Sequence, residues 1–129
     1  MAHSRCIINA SPLILLGKTE QLGLLVALAD QIAVPRAVVA EVGAKADGDR
    51  ILQTVRTSAS FVIVDDETPP VDILGWDLGA GETQVITGAI VHAADRVVID
   101  ELEARRCAKA MGLAVIGTLG VVGRAKAFG

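Results

Sequence analysis

The run VVIDELEARR, Val97 to Arg106, carries three aliphatic residues straight into two carboxylates, Asp100 and Glu101. Adjacent like charges repel, and they repel harder in a dry site than in water. Such a pair either faces solvent or has something positive beside it. Three more oxygen-bearing side chains fall at comparable positions. Asn9 ends the apolar run CIIN, Glu41 lies on the flank of the Val38/Val42 face of RAVVAEVGAK, and Glu82 opens GETQVITGAIVHAAD. Hard oxygen ligands suit Mg²⁺ or Mn²⁺. An ion held by carboxylates, with positions open to water and phosphate, is the machinery of phosphodiester hydrolysis.

Each acid also has a plainer reading. Glu82 fits a helix N-terminus, where the dipole favours a negative group. Glu101 can pair with Arg105 one turn on, Asp100 can cap the following helix, and Glu41 can simply be solvated. Asp65, Asp66, Glu67, Asp72 and Asp77 read as a solvated loop with Trp76 as its anchor. His3 and His92 lack ligand spacing and are assigned no chemistry. GAGET, Gly79 to Thr83, hints at nucleotide binding, but it follows a loop and lacks the third glycine and the Lys-Ser/Thr of a P-loop.

The elements that must position these groups are short. CIIN, QIAV, FVIV, RVVID and LAVIG read as strands, with FVIV (Phe61–Val64) apolar enough for a strand covered on both faces. Between them lie helical stretches. Ser11 reads as an N-cap with Pro12 at the first helical position, and LILLGK and LGLLVALAD give turns that break near Gly17 to Glu20. Pro35 stops the second strand, and Asp47-Gly48 opens DRILQTVRT. DDETPPVDILGWDLGAG reads as a surface loop. The helix after it shows a stripe of Val85, Ile86, Ala89, Ile90 and Ala93, with Glu82 on the same face. LEARRCAKAMG closes at Gly112, and Thr118 caps the final helix. Strands alternating with amphipathic helices predict a parallel sheet with helices on both faces, one domain over 1–129. Ligands in such sheets gather beyond the carboxyl ends of the strands. Periodicity therefore allows Glu41, Glu82, Asp100 and Asn9 to share one edge.

Composition narrows the function. The 129 residues are 52% hydrophobic and 21% charged, enough for a large core and too apolar for global disorder. Two Phe, one Trp and no Tyr leave no stacking platform for bases. The net charge of −3 excludes gripping nucleic acid by overall attraction. A nucleic-acid role must rest on a local patch, on bridging metal ions or on a partner. Cys6 and Cys107 read as buried free thiols in a reducing compartment. No segment is long and apolar enough to span a membrane, no signal peptide is expected, and a cytoplasmic location follows.

INASPLILL, VPRAVVAEV, LGAGETQVITGAI and VVIDELEARRCAKAMGLAVIGTLGVVGRAK, in that order, resemble the PIN-domain family. Within it they resemble the branch of small prokaryotic proteins related to VapC-type toxins. The resemblance runs from about Ile7 to Lys126. It implies a three-layer α/β/α sandwich with a central parallel sheet, an acid cluster binding Mg²⁺ or Mn²⁺, and endoribonuclease activity. It also implies a small antitoxin that blocks the site. By position the family's four acids fall on Asn9, Glu41, Glu82 and Asp100. Glu41, Glu82 and Asp100 are then the catalytic set, and Glu101 is an auxiliary metal ligand. Ser11 and Thr118 match polar positions near the site in relatives.

Asn9 departs from the acid of that pattern. A neutral amide oxygen removes one negative charge, which lowers the expected metal affinity and activity, although similar proteins often carry Asn there too. Relatives commonly continue beyond the AK-x-x-G segment with further helix, so exposed apolar surface and a homodimer are expected. Two functions compete. One is a metal-dependent ribonuclease, the toxin of a toxin–antitoxin pair, with Arg105, Arg106 and Lys109 on the outward side of their helix touching the RNA backbone. The other is a catalytically weak or inactive PIN-like module acting through protein or RNA binding.

Overall fold

The structure, a computed structural model, describes residues 4–128, with side chains to Lys126; His3 lies outside the described residues. The elements run β1 (Arg5–Ile8), α1 (Ala10–Lys18), α2 (Gly23–Val26), β2 (Gln31–Pro35), α3 (Arg36–Gly43), α4 (Gly48–Thr57) and β3 (Phe61–Val64). Then follow α5 (Val71–Leu74), α6 (Ala80–Val91), β4 (Arg96–Val98), α7 (Leu102–Ala110), β5 (Val115–Ile116) and α8 (Thr118–Phe128). All strand pairs are parallel, in the order β3-β2-β1-β4-β5. Helices cover both faces, giving a three-layer α/β/α sandwich. Among the described residues, no helix is long and apolar enough to cross a membrane.

The order follows burial. Ile7 and Ile8 of β1, Ile32 and Val34 of β2, and Val97 and Val98 of β4 are essentially inaccessible, as unbroken apolar runs in a parallel sheet must be. FVIV departs from this. It is an edge strand paired only with β2 among the described strands, and only Phe61 is buried. An apolar run alone does not distinguish a central strand from an edge. Pro35 does not stop β2 before it but is its last residue, paired with Val64, where its missing N–H falls at the ladder's end.

Several helix boundaries also shift. α1 begins at Ala10, so Asn9 occupies the N-cap position with extended backbone, and Ser11 is an exposed residue of the first turn. The chain turns straight from strand into helix, which leaves no linker for Ser11 to cap. α1 ends at Lys18; Thr19 donates its hydroxyl back to the Leu15 carbonyl at 2.9 Å, and Glu20 takes a left-handed φ of 56°. Inside the loop after β3, VDIL folds as the short α5 behind Pro70, because Ile73 has an apolar site to fill. α6 stops at Val91, and Ala93 has φ 51°, so Ile90 and Ala93 are exposed and leave the stripe to Val85, Ile86 and Ala89. Trp76 is half-buried against the core, the anchor its position suggested. Cys6 and Cys107 are buried free thiols, and burial pushes both thiol pKa values up.

Candidate metal centre

β1 leads through Asn9 into α1, and β4 leads through Asp100 and Glu101 into α7, with Asp100 tied to the N-terminus of α8. β1 delivers Asn9, whose backbone N–H donates to the Val98 carbonyl at 3.0 Å and carries the β1–β4 register one residue further. Asn9 is only 5% exposed, and its side-chain Oδ1 is buried with no hydrogen-bond partner. Leaving such an acceptor unpaired costs about 1–3 kcal/mol, so the oxygen is held in place by the fold rather than by a partner of its own.

Two helices bring acids to it. Glu41 comes from the second half of α3, and α3 packs on α6. The contact is close because residue 81 has no side chain. A Cβ on Gly81 would lie 2.6 Å from Glu41 Oε1 and 3.4 Å from Asn9 Oδ1. Glu82 follows in the first turn of α6, where its Oε1 accepts from the Gly79 N–H at 3.0 Å. Burial raises the Glu82 pKa most, the Gly79 N–H draws it down, and the charges of Glu101 and Glu41 raise it again. Glu82, Glu101 and Glu41 therefore share one electrostatic neighbourhood.

The two acids after β4 behave differently. Glu101 is the N-cap of α7, its Oε2 accepting from the Ala104 N–H at 2.7 Å. Asp100 instead accepts twice from one residue of α8: from the Thr118 N–H at 2.7 Å and from the Thr118 hydroxyl at 2.5 Å. These contacts correct three expectations. Asp100 does not cap α7, Glu101 does not pair with Arg105, and Thr118, the first residue of α8, spends its hydroxyl on Asp100 rather than on a cap. Arg105 is half-buried and turned inward, its Nη1 donating to the Ile99 carbonyl at 2.8 Å, because it closes the end of β4. That leaves the exposed Arg106, paired with Glu103 at 2.8 Å, and the exposed Lys109 on the outer side of α7. Ser11 has no hydrogen bond to any site residue among those described. The acids after β3 are not uniformly free: Asp65 pairs with Arg36 at 2.6 Å and Asp66 accepts from the Ala37 N–H at 3.1 Å.

The fold thus places Asn9 and Glu41 together at Gly81. Glu82 follows one residue on in α6, where the charges of Glu101 and Glu41 reach it, and Asp100 is turned to α8. Among the described residues, no three Asp, Glu, His or Cys side chains are already closed into a metal-holding group. The donors nevertheless fit a divalent cation. They are hard oxygens, one of them a buried acceptor without a partner, and their mutual charge raises a carboxyl pKa. The residue that sequence reasoning missed is Gly81. Its signal was present in GAGET, whose second glycine leaves room for Glu41 and Asn9 rather than for a phosphate.

Comparisons with known proteins agree with this fold. Two solved structures share the fold. PAE2754 from Pyrobaculum aerophilum is 18% identical, with a TM-score of 0.66 over 96% of this chain and 90% of that one. A PilT N-terminus domain protein, SSO1118, from the archaeon Sulfolobus solfataricus P2 is 14% identical, with a TM-score of 0.59 over 94% of this chain and 92% of that one. No curated protein matches the chain significantly by sequence. The family model for the PIN domain matches residues 5–129, almost the full length over which the acids and the sheet were traced. The chain belongs to the PIN-domain family.

Proposed function

We propose that the chain is a Mg²⁺- or Mn²⁺-dependent endoribonuclease of the VapC type, the toxin of a toxin–antitoxin pair. PIN domains are nucleases as a class. The single observation that carries the reading here is the buried, unpartnered Asn9 Oδ1 lying with Glu41 Oε1 against the bare Gly81. Asn9, Glu41 and Glu82, with an acid from the turn after β4, would hold the ion. When bound, such an ion lowers the pKa of a water and offsets charge on the phosphate.

The protein's own groups do the rest. The Gly79 N–H fixes one oxygen of Glu82 and the Ala104 N–H fixes one of Glu101, so each keeps its other oxygen out of those bonds. Asn9 adds a neutral oxygen where an acid would add charge, which sets a weaker affinity. Lys109 and the outer face of Arg106 are the groups available to a phosphate backbone, a small local patch on an acidic chain. An antitoxin and a homodimer belong to the same proposal.

A nuclease assay on mixed RNA with Mg²⁺ or Mn²⁺ tests it, beside Glu41→Gln and Glu82→Gln. Cleavage that needs the metal and is lost in both variants is the expected result. Asn9 favours a second reading, a PIN-like module without catalysis. No cleavage together with no thermal shift in any divalent ion would establish that module instead.

A further inference from the structure

Two consecutive residues of the loop after β3 reach the two helices that meet at Gly81. Asp66 Oδ1 accepts from the Ala37 N–H of α3 at 3.1 Å. Glu67 is held by the side-chain amide of Gln84 on α6, which accepts from its N–H and donates to its carbonyl, both at 2.8 Å. We propose that this loop is a brace, with Asp66 and Gln84 as positioning residues that set α3 against α6 where Glu41 meets Gly81. The inference rests on the metal-dependent reading above.

Each tie answers a local need. Pro35 stands at the N-cap of α3 and has no side-chain oxygen to offer, so the first-turn N–H groups lack a cap of their own. Asp66 supplies that acceptor from 29 residues along the chain. β3 ends at Val64, and beyond it the backbone of Glu67 has left the sheet and needs other partners. The Gln84 amide provides them, pairing with both groups as a neighbouring peptide unit would. The Arg36–Asp65 ion pair beside these contacts is exposed and adds little.

The ties fall at matching places. Ala37 and Glu41 are four residues apart on α3, and Gly81 and Gln84 are three apart on α6, so each pair lies one turn apart on one helix face. The Asp66 tie therefore sits one turn before Glu41, and the Gln84 tie one turn after Gly81. α3 and α6 also pack on each other directly. The brace adds a second fixed distance to that contact, through two adjacent residues whose Cα atoms are ~3.8 Å apart. Glu67 extends it along α6, its Oε1 lying 3.9 Å from His92 Nε2. The Glu41 carboxylate itself has no hydrogen bond or ion pair among the described residues, so its place depends on how the two helices are set.

Mn²⁺ titration of the intact chain, read by loss of the free-ion EPR signal well below the melting temperature, tests the brace. Gln84→Leu removes both contacts to Glu67, and Asp66→Ala removes the one to Ala37; each should lower Mn²⁺ affinity about tenfold. A brace cut at either end is cut, so the double variant should lose no more affinity than the single ones. Asp66→Asn keeps an oxygen for the Ala37 N–H while removing the charge, and should bind Mn²⁺ within about twofold of wild type. Lower melting temperatures with unchanged Mn²⁺ affinity in Gln84→Leu and Asp66→Ala would make the contacts structural only and overturn the inference. So would losses that add in the double variant, or a loss in Asp66→Asn equal to that in Asp66→Ala, which would trace the effect to charge. A wild-type protein that takes up no Mn²⁺ removes the proposed function itself and this inference with it, a result distinct from all of these.

Discussion

Asn9 Oδ1 and Glu41 Oε1 come from different layers of the sandwich and meet over the bare backbone of Gly81. Gly81→Ala tests whether that meeting serves the site or the fold. The new methyl would strike Glu41 Oε1, the far end of a flexible, exposed side chain that can swing away cheaply. Alanine also gains up to about 1 kcal/mol of helix propensity over glycine. The variant should therefore melt at or above the wild-type temperature, yet lose most of the Mn²⁺-induced rise in melting temperature. A large drop in apo stability, with the Mn²⁺ response kept, would make Gly81 a packing residue only.

Asn9→Asp restores the acid that the family pattern carries at that place. The carboxylate would be nearly buried beside Glu41, so the apo protein should lose about 1–3 kcal/mol. Added ligand charge tightens divalent-ion sites, so Mn²⁺ should bind more tightly than in wild type and recover the lost stability. Calorimetry with and without Mn²⁺ reads both effects. Unchanged affinity would place the ion away from Asn9.

The fold was legible in the sequence because apolar strands alternate with amphipathic helices, and β1, β2 and β4 lie where their apolar runs were read. Sheet position was not legible. FVIV is as apolar as a central strand yet forms the edge, since strand order depends on packing between distant segments. That Asn9 and Glu41 could share one edge was legible because each sits near the end of an element whose period was clear. The different hydrogen bonds of Asp100 and Glu101 were hidden, because Asp100 is claimed by Thr118, 18 residues along the chain. Arg105 misled for a similar reason: helical spacing turned it outward, but the open carbonyl of Ile99 draws it in.

The buried thiols give a prediction about the core. Burial raises the pKa of Cys6 and Cys107, most simply because a thiolate would lose its hydration there. Neither should react with a thiol reagent in the native protein, and both should react on unfolding. The unfolded chain ionises its thiols from about pH 8.5 upward while the folded chain does not. Stability should accordingly fall as pH rises beyond that value. Rapid native labelling at neutral pH would contradict the burial of either residue.

Glu82→Gln sets stability against function. The folded pKa of Glu82 is raised, by burial first and then by Glu101 and Glu41 against the pull of the Gly79 N–H. Between the ordinary glutamate pKa of about 4.3 and that raised value, the folded state binds more protons than the unfolded one. Stability therefore falls as pH rises through this window, and the cost is complete above it. Glutamine keeps an oxygen for the Gly79 N–H and carries no charge, so without metal the variant should melt above wild type at pH 7. The difference should close as pH drops below about 4. Mn²⁺ should invert the order, because only the wild type gains from binding the ion. Melting curves at pH 4 and pH 7, each with and without Mn²⁺, read the inversion. Equal Mn²⁺ shifts in both proteins would show that Glu82 does not hold the ion, and would leave its raised pKa as a consequence of burial alone.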